Sequence, residues 1–191
     1  MSKAGRNVVL GSMALLLAAC APEATTAPAD APVPGSSWRE PATVVAAIAR
    51  LPEFSMMRRA LTETARIDNL RMRSPVTLLA PRDTAFARLS PEARAAVLAP
   101  QNREALARII DLHIIPRALR ADELRQMIAT GGGSAQIASR GGPLTFTAEG
   151  DLLIVTAPNG TRASMGAQDI ATGNGSVYVL DRWLGAPQTG E

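Results

Sequence analysis

Residues 76–86 read VTLLAPRDTAF, and this stretch decides the fold because a strand pattern meets a helix pattern in it. The run VTLLA is typical of a short apolar strand. Pro81 favours the end of that strand, since proline has no N–H to donate to a ladder of hydrogen bonds. Asp83 is then predicted to cap a short helix that carries Phe86.

Helical spacing dominates the sequence on both sides of this stretch. Apolar residues recur at helical spacing from Val44 to Leu51, and a second amphipathic helix is predicted from Phe54 to about Ala65. Ser90 and Pro91 have the order of a helix cap followed by a first helical residue. A further helix from about Asn102 places four side chains on one stripe, namely Leu106, Ile109, Ile110 and His113. His113 is therefore predicted to point inward.

The periodicity changes in the C-terminal half of the chain. A helix that Asp122 can cap is predicted to end at Gly131, and beyond it apolar and polar residues alternate from position 144 to 148. An apolar run at 152–155, a segment at 161–165 and a final strand at 176–180 follow. Asn159-Gly160 is a strong signal for a tight hairpin. Helices first and strands second indicate an α+β domain.

The N-terminal segment predicts the cellular compartment. Lys3 and Arg6 precede a mostly apolar run that ends in LAAC at positions 17–20, which resembles the lipobox of bacterial lipoproteins. We expect residues 1–19 to be a signal peptide, Cys20 to carry the lipid, and residues 20–42, rich in Pro and Ala, to be a tether. The alternative is an ordinary signal peptide that leaves Cys20 as a free thiol. Ala21 resembles lipoproteins sent to the outer membrane, so the predicted location is the cell envelope at that membrane.

The charge balance argues against a nucleic-acid partner. The chain has a net charge of +3, and removal of Lys3 and Arg6 leaves 18 basic side chains against 17 acidic ones. The densest basic cluster comprises Arg58, Arg59, Arg66, Arg71 and Arg73. Acidic residues are interspersed with it, which favours a solvated helix face. The alternative is a surface for an anionic polymer or a membrane.

Three blocks of sequence, covering residues 43–187, together resemble the fasciclin domain. The first block contains Thr77, Pro81, Asp83 and Phe86, the second is Leu112-His113, and the third runs from Asp169-Ile170 through Asn174-Gly175 to residue 187. The chain departs from the family pattern at Leu112, where an aromatic is usual, at Arg82, and in a glycine-rich excursion over 131–142. The resemblance implies a wedge of two β-sheets flanked by several helices, followed here by a short tail, 188–191.

The resemblance also implies a role in adhesion or in contact with other molecules. It places the binding residues around Asp169, Ile170, Thr172 and Asn174, because an Asp-Ile segment before the last strand is linked to receptor binding in animal members. The alternative is that Ile170 fills the core while Asp169 caps a turn. We expect a protein or polysaccharide partner. A second hypothesis is a carrier of an apolar, carotenoid-like molecule in a cleft of the domain.

The residues needed for common catalytic sites are missing from the sequence. The chain has one histidine, one cysteine and, in Lys3, one lysine, so zinc sites, Ser-His-Asp hydrolysis and Cys-His catalysis lack parts. Adjacent carboxylates at Asp122 and Glu123 diverge on a helix, and Glu149 and Asp151 flank a turn. We therefore expect no catalytic residues, no metal and no cofactor, and we expect His113 to be structural.

Overall fold

The computed structural model describes residues 43–71, 74–97, 99–166 and 169–185. Cys20, the predicted signal peptide, the tether, Arg73 and the tail 188–191 lie outside the described residues. Within them, helices cluster in the first two thirds of the domain and strands in the last third. The predicted α+β class is confirmed.

Seven α-helices occur in the described part of the chain: α1 Val44–Ala49, α2 Ser55–Glu63, α3 Ile67–Arg71, α4 Asp83–Ala87, α5 Pro91–Val97, α6 Arg103–Leu112 and α7 Ala121–Thr130. Short 3-10 turns at Pro52–Phe54 and Pro100–Asn102 lead into α2 and α6. The cap predicted for α5 is present, because the Ser90 hydroxyl accepts the Ala93 N–H at 3.0 Å and Pro91 is the first helical residue.

Two predicted helix caps are wrong. Arg82 holds the N-cap position of α4, and Asp83 is instead its first helical residue. Arg120 holds the N-cap position of α7, which leaves Asp122 inside the first turn. Arg82 and Arg120 have the extended backbone geometry of an N-cap, so the two helices begin one and two residues earlier than Asp83 and Asp122 suggest. Leu51 likewise lies beyond the end of α1.

The described residues form one sheet of eight strands: β1 Val76–Pro81, β2 Ile114–Ile115, β3 Ser134–Ser139, β4 Gly142–Glu149, β5 Leu152–Thr156, β6 Arg162–Met165, β7 Ile170–Thr172 and β8 Gly175–Leu180. Their order is β2-β1-β8-β6-β5-β4-β3, and β7 also pairs with β8. β1 and β8 run parallel, while the other pairs are antiparallel. A single residue pair, Met165 with Leu180, joins β6 to β8. The two predicted sheets are thus two sections linked at this point.

Two hydrophobic cores lie on opposite sides of β1 and β8. The helical core packs α1 to α6 against this pair of strands, and the sheet core lies between α7 and strands β3 to β6. Leu78 of β1 and Val177 of β8 face the helical core, while their neighbours Leu79 and Tyr178 face the sheet core. Both strands are therefore buried on both faces, which explains why β1 lacks the alternating pattern of a half-exposed strand.

Candidate functional site

The carboxylate of Asp169 joins three elements. Its Oδ1 accepts the Ala121 N–H at 3.2 Å, and its Oδ2 accepts the Ser176 hydroxyl at 2.8 Å and Arg120 Nη1 at 3.1 Å. Burial raises the pKa of Asp169, but the hydrogen bonds from Ser176, the Ala121 N–H and Arg120 outweigh that effect and hold its pKa below the usual value. Asp169 thus satisfies the first N–H of α7, the role that the sequence pattern assigned to Asp122.

The other three predicted binding residues are drawn into the domain. Ile170 is half-buried and packs against the helical core. Thr172 and Asn174 are only 5% and 4% exposed. The Thr172 hydroxyl shares its one proton between the Gly175 carbonyl at 2.9 Å and Asn174 Oδ1 at 3.2 Å. Most of the Ile170, Thr172 and Asn174 side chains are therefore inaccessible to a partner that docks on the folded domain.

The Asn174 side chain hydrogen-bonds the β7–β8 turn to α1 and α3. Its Oδ1 accepts the Val44 N–H at 2.8 Å, and its Nδ2 donates to the Leu70 carbonyl at 3.0 Å. These contacts span 130 and 104 residues of sequence. The next residue, Gly175, has φ +149°, and a Cβ there would lie 1.7 Å from the Val76 carbonyl oxygen. Only glycine allows β1 to approach β8 at this position.

A depression of about 260 Å³ opens beside this turn. Its lining is Pro75, Ala118, Arg120, Thr172, Gly173, Asn174 and Gly175. Ala118, Arg120 and Gly173 are exposed, so they form its accessible rim. Two of the four predicted binding residues, Thr172 and Asn174, therefore line this depression, and a third, Asp169, pairs with Arg120 on its rim. No local sequence pattern marks Arg120, because it lies 49 residues from the Asp169 with which it pairs.

His113 is fully buried at the end of α6. Its Nδ1 lies 2.8 Å from the Ile109 carbonyl oxygen, and the Leu184 N–H donates to its Nε2 at 3.2 Å. A neutral ring with its proton on Nδ1 satisfies both contacts. Burial is the largest influence and lowers the pKa of His113 to about 4, although the Ile109 carbonyl favours the charged form. Because both ring nitrogens are occupied, His113 has no nitrogen available to a metal.

The family blocks meet in space around Trp183. The His113 and Phe86 rings lie 5.5 Å and 6.2 Å from the Trp183 ring, both in edge-on geometry. From the first block, the Asp83 carboxylate accepts the Met56 N–H at 2.9 Å and the Ser55 hydroxyl at 2.6 Å, so it caps α2 rather than α4. The hallmark side chains therefore join distant parts of the domain.

Thr77 and Pro81, the other first-block hallmarks, hold β1 in place. The Thr77 hydroxyl donates to the Arg117 carbonyl at 2.8 Å and accepts the Leu119 N–H at 2.9 Å. This fixes the connection between β2 and α7, whose residues come forty positions later in the chain. Pro81 is paired with Leu180 at the end of the parallel ladder.

The arginine-rich face of α2 and α3 is occupied by contacts within the domain. Arg58 donates to the Ile48 and Leu51 carbonyls, both at 2.9 Å, at the end of α1. Arg66 binds both carboxylate oxygens of Asp111, at 3.0 and 2.8 Å. The Arg58 guanidinium therefore connects α2 to the end of α1, and the Arg66 guanidinium connects the α2–α3 loop to α6. This geometry argues against the anionic-polymer surface, because both guanidiniums are already engaged within the domain.

Two classes of feature are absent from the described residues. They contain no group of three or more His, Cys, Asp and Glu side chains that could hold a metal ion. Among them, no helix combines the length and apolar composition needed to cross a bilayer.

Comparison with known proteins gives the family. The sequence model of the Fasciclin domain matches residues 52–187, which is most of the chain. The chain belongs to the fasciclin domain family. Fasciclin domains are adhesion and binding domains, and the family fold is not an enzymatic one. The match begins at the 3-10 turn before α2, so it includes the three blocks, the sheet core, the helical core apart from α1, and the depression beside the β7–β8 turn.

Individual relatives extend this result. Protein sll1483 of Synechocystis sp. is 26% identical over 146 residues, covering 76% of this chain and 74% of that protein. Fasciclin-1 of Drosophila melanogaster is 29% identical over 126 residues, covering 64% of this chain but 19% of that protein. The solved FAS1 domain pair from the insect cell adhesion molecule fasciclin I has a TM-score of 0.64 at 17% identity. The match covers 73% of this chain and 49% of that one, and it supports the fold.

Proposed function

We propose that this chain is a non-catalytic binding module held at a membrane of the bacterial cell envelope by a lipid on Cys20. The observation that carries the proposal is the fasciclin domain over residues 52–187. The chemistry of the domain agrees with it, because the one histidine is buried and both of its ring nitrogens are engaged. A buried, fully bonded imidazole has no free nitrogen to move a proton on a substrate.

The proposed anchor depends on the N-terminal sequence. Cys20 is the only cysteine, it follows Leu17-Ala18-Ala19, and the first helix of the domain begins at Val44. One acyl chain holds a protein only marginally, so two or more chains on Cys20 would be needed for stable anchoring. The outer membrane is the proposed destination because Ala21 follows the cysteine.

Mass spectrometry of the membrane fraction tests the anchor. We expect an N-terminal peptide that begins at Cys20 and carries the mass of a diacylglycerol with or without a third acyl chain. The Cys20→Ala variant should leave the membrane fraction. An unmodified, soluble protein cleaved at another position would contradict the anchor, and recovery from the inner membrane alone would contradict the proposed destination.

The proposed contact surface is the rim of the depression beside the β7–β8 turn. Ala118 and Arg120 are exposed there, next to a turn that Asn174 and Thr172 hold rigid. A rigid rim loses little conformational entropy when a partner docks, which favours binding. Arg120 is partly neutralised by Asp169, so it can orient a partner through its remaining donors. A protein partner fits this rim better than a small molecule because the depression is open.

Capture from envelope extracts tests this surface. The full chain should recover a partner, and Ala118→Trp should lose it, because the indole would fill the depression without removing a hydrogen bond. Ala95→Trp on α5 is the matched control, since Ala95 is also exposed but lies on another element. Equal recovery by the two folded variants would show that the rim is not the contact surface.

The alternative function, a carrier of an apolar carotenoid-like molecule, requires an enclosed apolar cleft. The depression beside the β7–β8 turn is about 260 Å³ and has an arginine in its lining, which suits a charged or polar contact. A coloured protein on purification, with an absorption band that organic solvent removes, would support the carrier instead.

A further inference from the structure

A second groove lies where β6 leaves β8. These strands share one residue pair, Met165 with Leu180, and then diverge. The Asp181 N–H donates to the Ser164 carbonyl at 3.2 Å, and the Ser164 N–H donates to Asp181 Oδ1 at 2.7 Å, which closes the junction. Helix α4 lies along the same opening and completes a groove of about 320 Å³. These two hydrogen bonds between Ser164 and Asp181 therefore fix its floor.

One wall of the groove is apolar. Leu152, at the start of β5, is 49% exposed, and no other large hydrophobic side chain in the described part of the chain is classed as exposed. Half-buried Val179 and the buried Met165 line the groove with it. The next three residues of β5 are buried, so Leu152 is the point where an apolar strand reaches solvent. An exposed leucine beside a groove is a contact for an apolar side chain of a partner.

The opposite wall carries positive charge. Arg82 and Arg88 flank α4 at its two ends, and both line the groove. The Arg82 N–H donates to the Leu180 carbonyl at 3.1 Å, which fixes its backbone above β8. Among the described residues, its guanidinium has no hydrogen-bond or ion-pair partner. The carboxylate of Asp181 in the same lining already accepts the Ser164 N–H and lies 3.9 Å from Arg182.

We propose that this groove binds an extended segment of a partner protein in which an aliphatic side chain adjoins acidic residues. The carboxylate would pair with Arg82, whose planar guanidinium suits two parallel hydrogen bonds, and the aliphatic side chain would cover Leu152. A volume of about 320 Å³ holds two or three residues of such a segment. The inference rests on the proposed binding role and names the chemistry of one partner class. Its lining shares no residue with the depression beside the β7–β8 turn.

Fluorescence anisotropy with a labelled peptide tests the proposal on the full chain in a mild non-ionic detergent. The probe is acetyl-Gly-Leu-Glu-Asp-Gly-amide, and the control peptide carries Gln and Asn in place of Glu and Asp. We expect the acidic peptide to bind at least roughly tenfold more tightly than the amide control, since charge-assisted hydrogen bonds are stronger than neutral ones. Its Kd should rise with added salt.

Variants locate the peptide on the groove. Arg82→Gln should weaken binding by roughly tenfold or more, and Leu152→Ser should weaken both peptides alike. Arg140→Gln is the matched control, because Arg140 is an exposed arginine in the β3–β4 turn outside the groove lining. Equal binding by Arg82→Gln and the unchanged chain, or equal affinity for the two peptides, would overturn the proposal.

The Ala118→Trp variant separates this inference from the proposed contact surface. It should bind the peptide as the unchanged chain does, since Ala118 is not in the groove lining. Loss of envelope capture with intact peptide binding supports both surfaces. If the unchanged chain captures a partner but does not bind the peptide, the groove alone is overturned. If the unchanged chain binds the peptide but captures no partner, the β7–β8 rim alone is overturned.

Discussion

His113 connects the end of α6 to the C-terminal segment through its two ring nitrogens. The Ile109 carbonyl fixes the proton on Nδ1, and the Leu184 N–H needs Nε2 to be an acceptor. Protonation of Nε2 would remove that acceptor and place a charge beside the Trp183 ring in a buried site. The native fold therefore requires the neutral ring.

The pH dependence of stability should reveal this requirement. The pKa of His113 falls from 6.5 to about 4 on folding, so the unfolded chain binds the proton more readily. The contribution of neutral His113 to the free energy of unfolding is complete above about pH 6.5. As the pH falls toward 4 this contribution is lost, and the free energy of unfolding decreases by about 3 kcal/mol at most. Urea unfolding measures the free energy of unfolding at pH 7 and at pH 4.5. The difference between these two values should be smaller for His113→Gln than for the unchanged chain. An identical difference in both proteins would contradict the assignment.

Asn174 bonds the β7–β8 turn to the helices through Val44 and Leu70. Asn174→Ala removes the partners of the buried Val44 N–H and Leu70 carbonyl, which should cost about 3 kcal/mol and lower Tm by roughly 10 °C. Asn159→Ala is the matched control, because Asn159 also precedes a glycine but lies in an exposed turn. It should cost about 0.5 kcal/mol or less. A similar Tm for the two variants, measured by thermal unfolding, would contradict this role.

At the scale of elements, helix α2 begins where Asp83 from another part of the chain caps it. Loss of the bonds to Ser55 and Met56 in Asp83→Ala should cost about 1 to 2 kcal/mol. Asp68→Ala on α3 is the control, since its side chain is 76% exposed and only an exposed ion pair is lost. Chemical denaturation measures both changes, and equal midpoints would show that Asp83 is not a cap for α2.

Sequence patterns predicted the elements that depend on local chemistry. The Ser90-Pro91 start of α5 and the apolar run of β1 are both present, because each depends on residues adjacent in sequence. The cap partners of Asp83 and Asp169 could not be predicted in this way. Ser55 lies 28 positions from Asp83, and Ala121 lies 48 positions from Asp169, so no local pattern encodes either contact.

Short or irregular elements were also missed. β2 has two residues and β7 has three, too few for a periodic signal, and both exist because β1 and β8 offer them partners. The glycine-rich excursion over 131–142 contains β3, whose buried residues Ala135 and Ile137 alternate with exposed ones. Because glycines precede and follow β3, this alternation could not be recognised in the sequence.

On the scale of the whole molecule, two cores share one pair of parallel strands. The first family block includes β1 and the third includes β8, and these two strands are paired. The second block joins them because its His113 packs against Trp183. The burial of the predicted binding residues could not be known from sequence alone, since Asn174 is held by helices more than 100 residues away. The exposed side chains beside the β7–β8 turn are instead those of Ala118 and Arg120, on the rim of the depression.

Site-specific photo-crosslinking in living bacterial cells tests most directly whether this chain is a membrane-held binding module. A photoreactive amino acid at position 118 of the full chain should give a discrete crosslinked product in the envelope fraction. The same probe at position 95 should give none, and Cys20→Ala should abolish the product at 118 by releasing the chain from the membrane. Products of equal yield at 118 and 95, or no product at 118 in the anchored chain, would contradict the account.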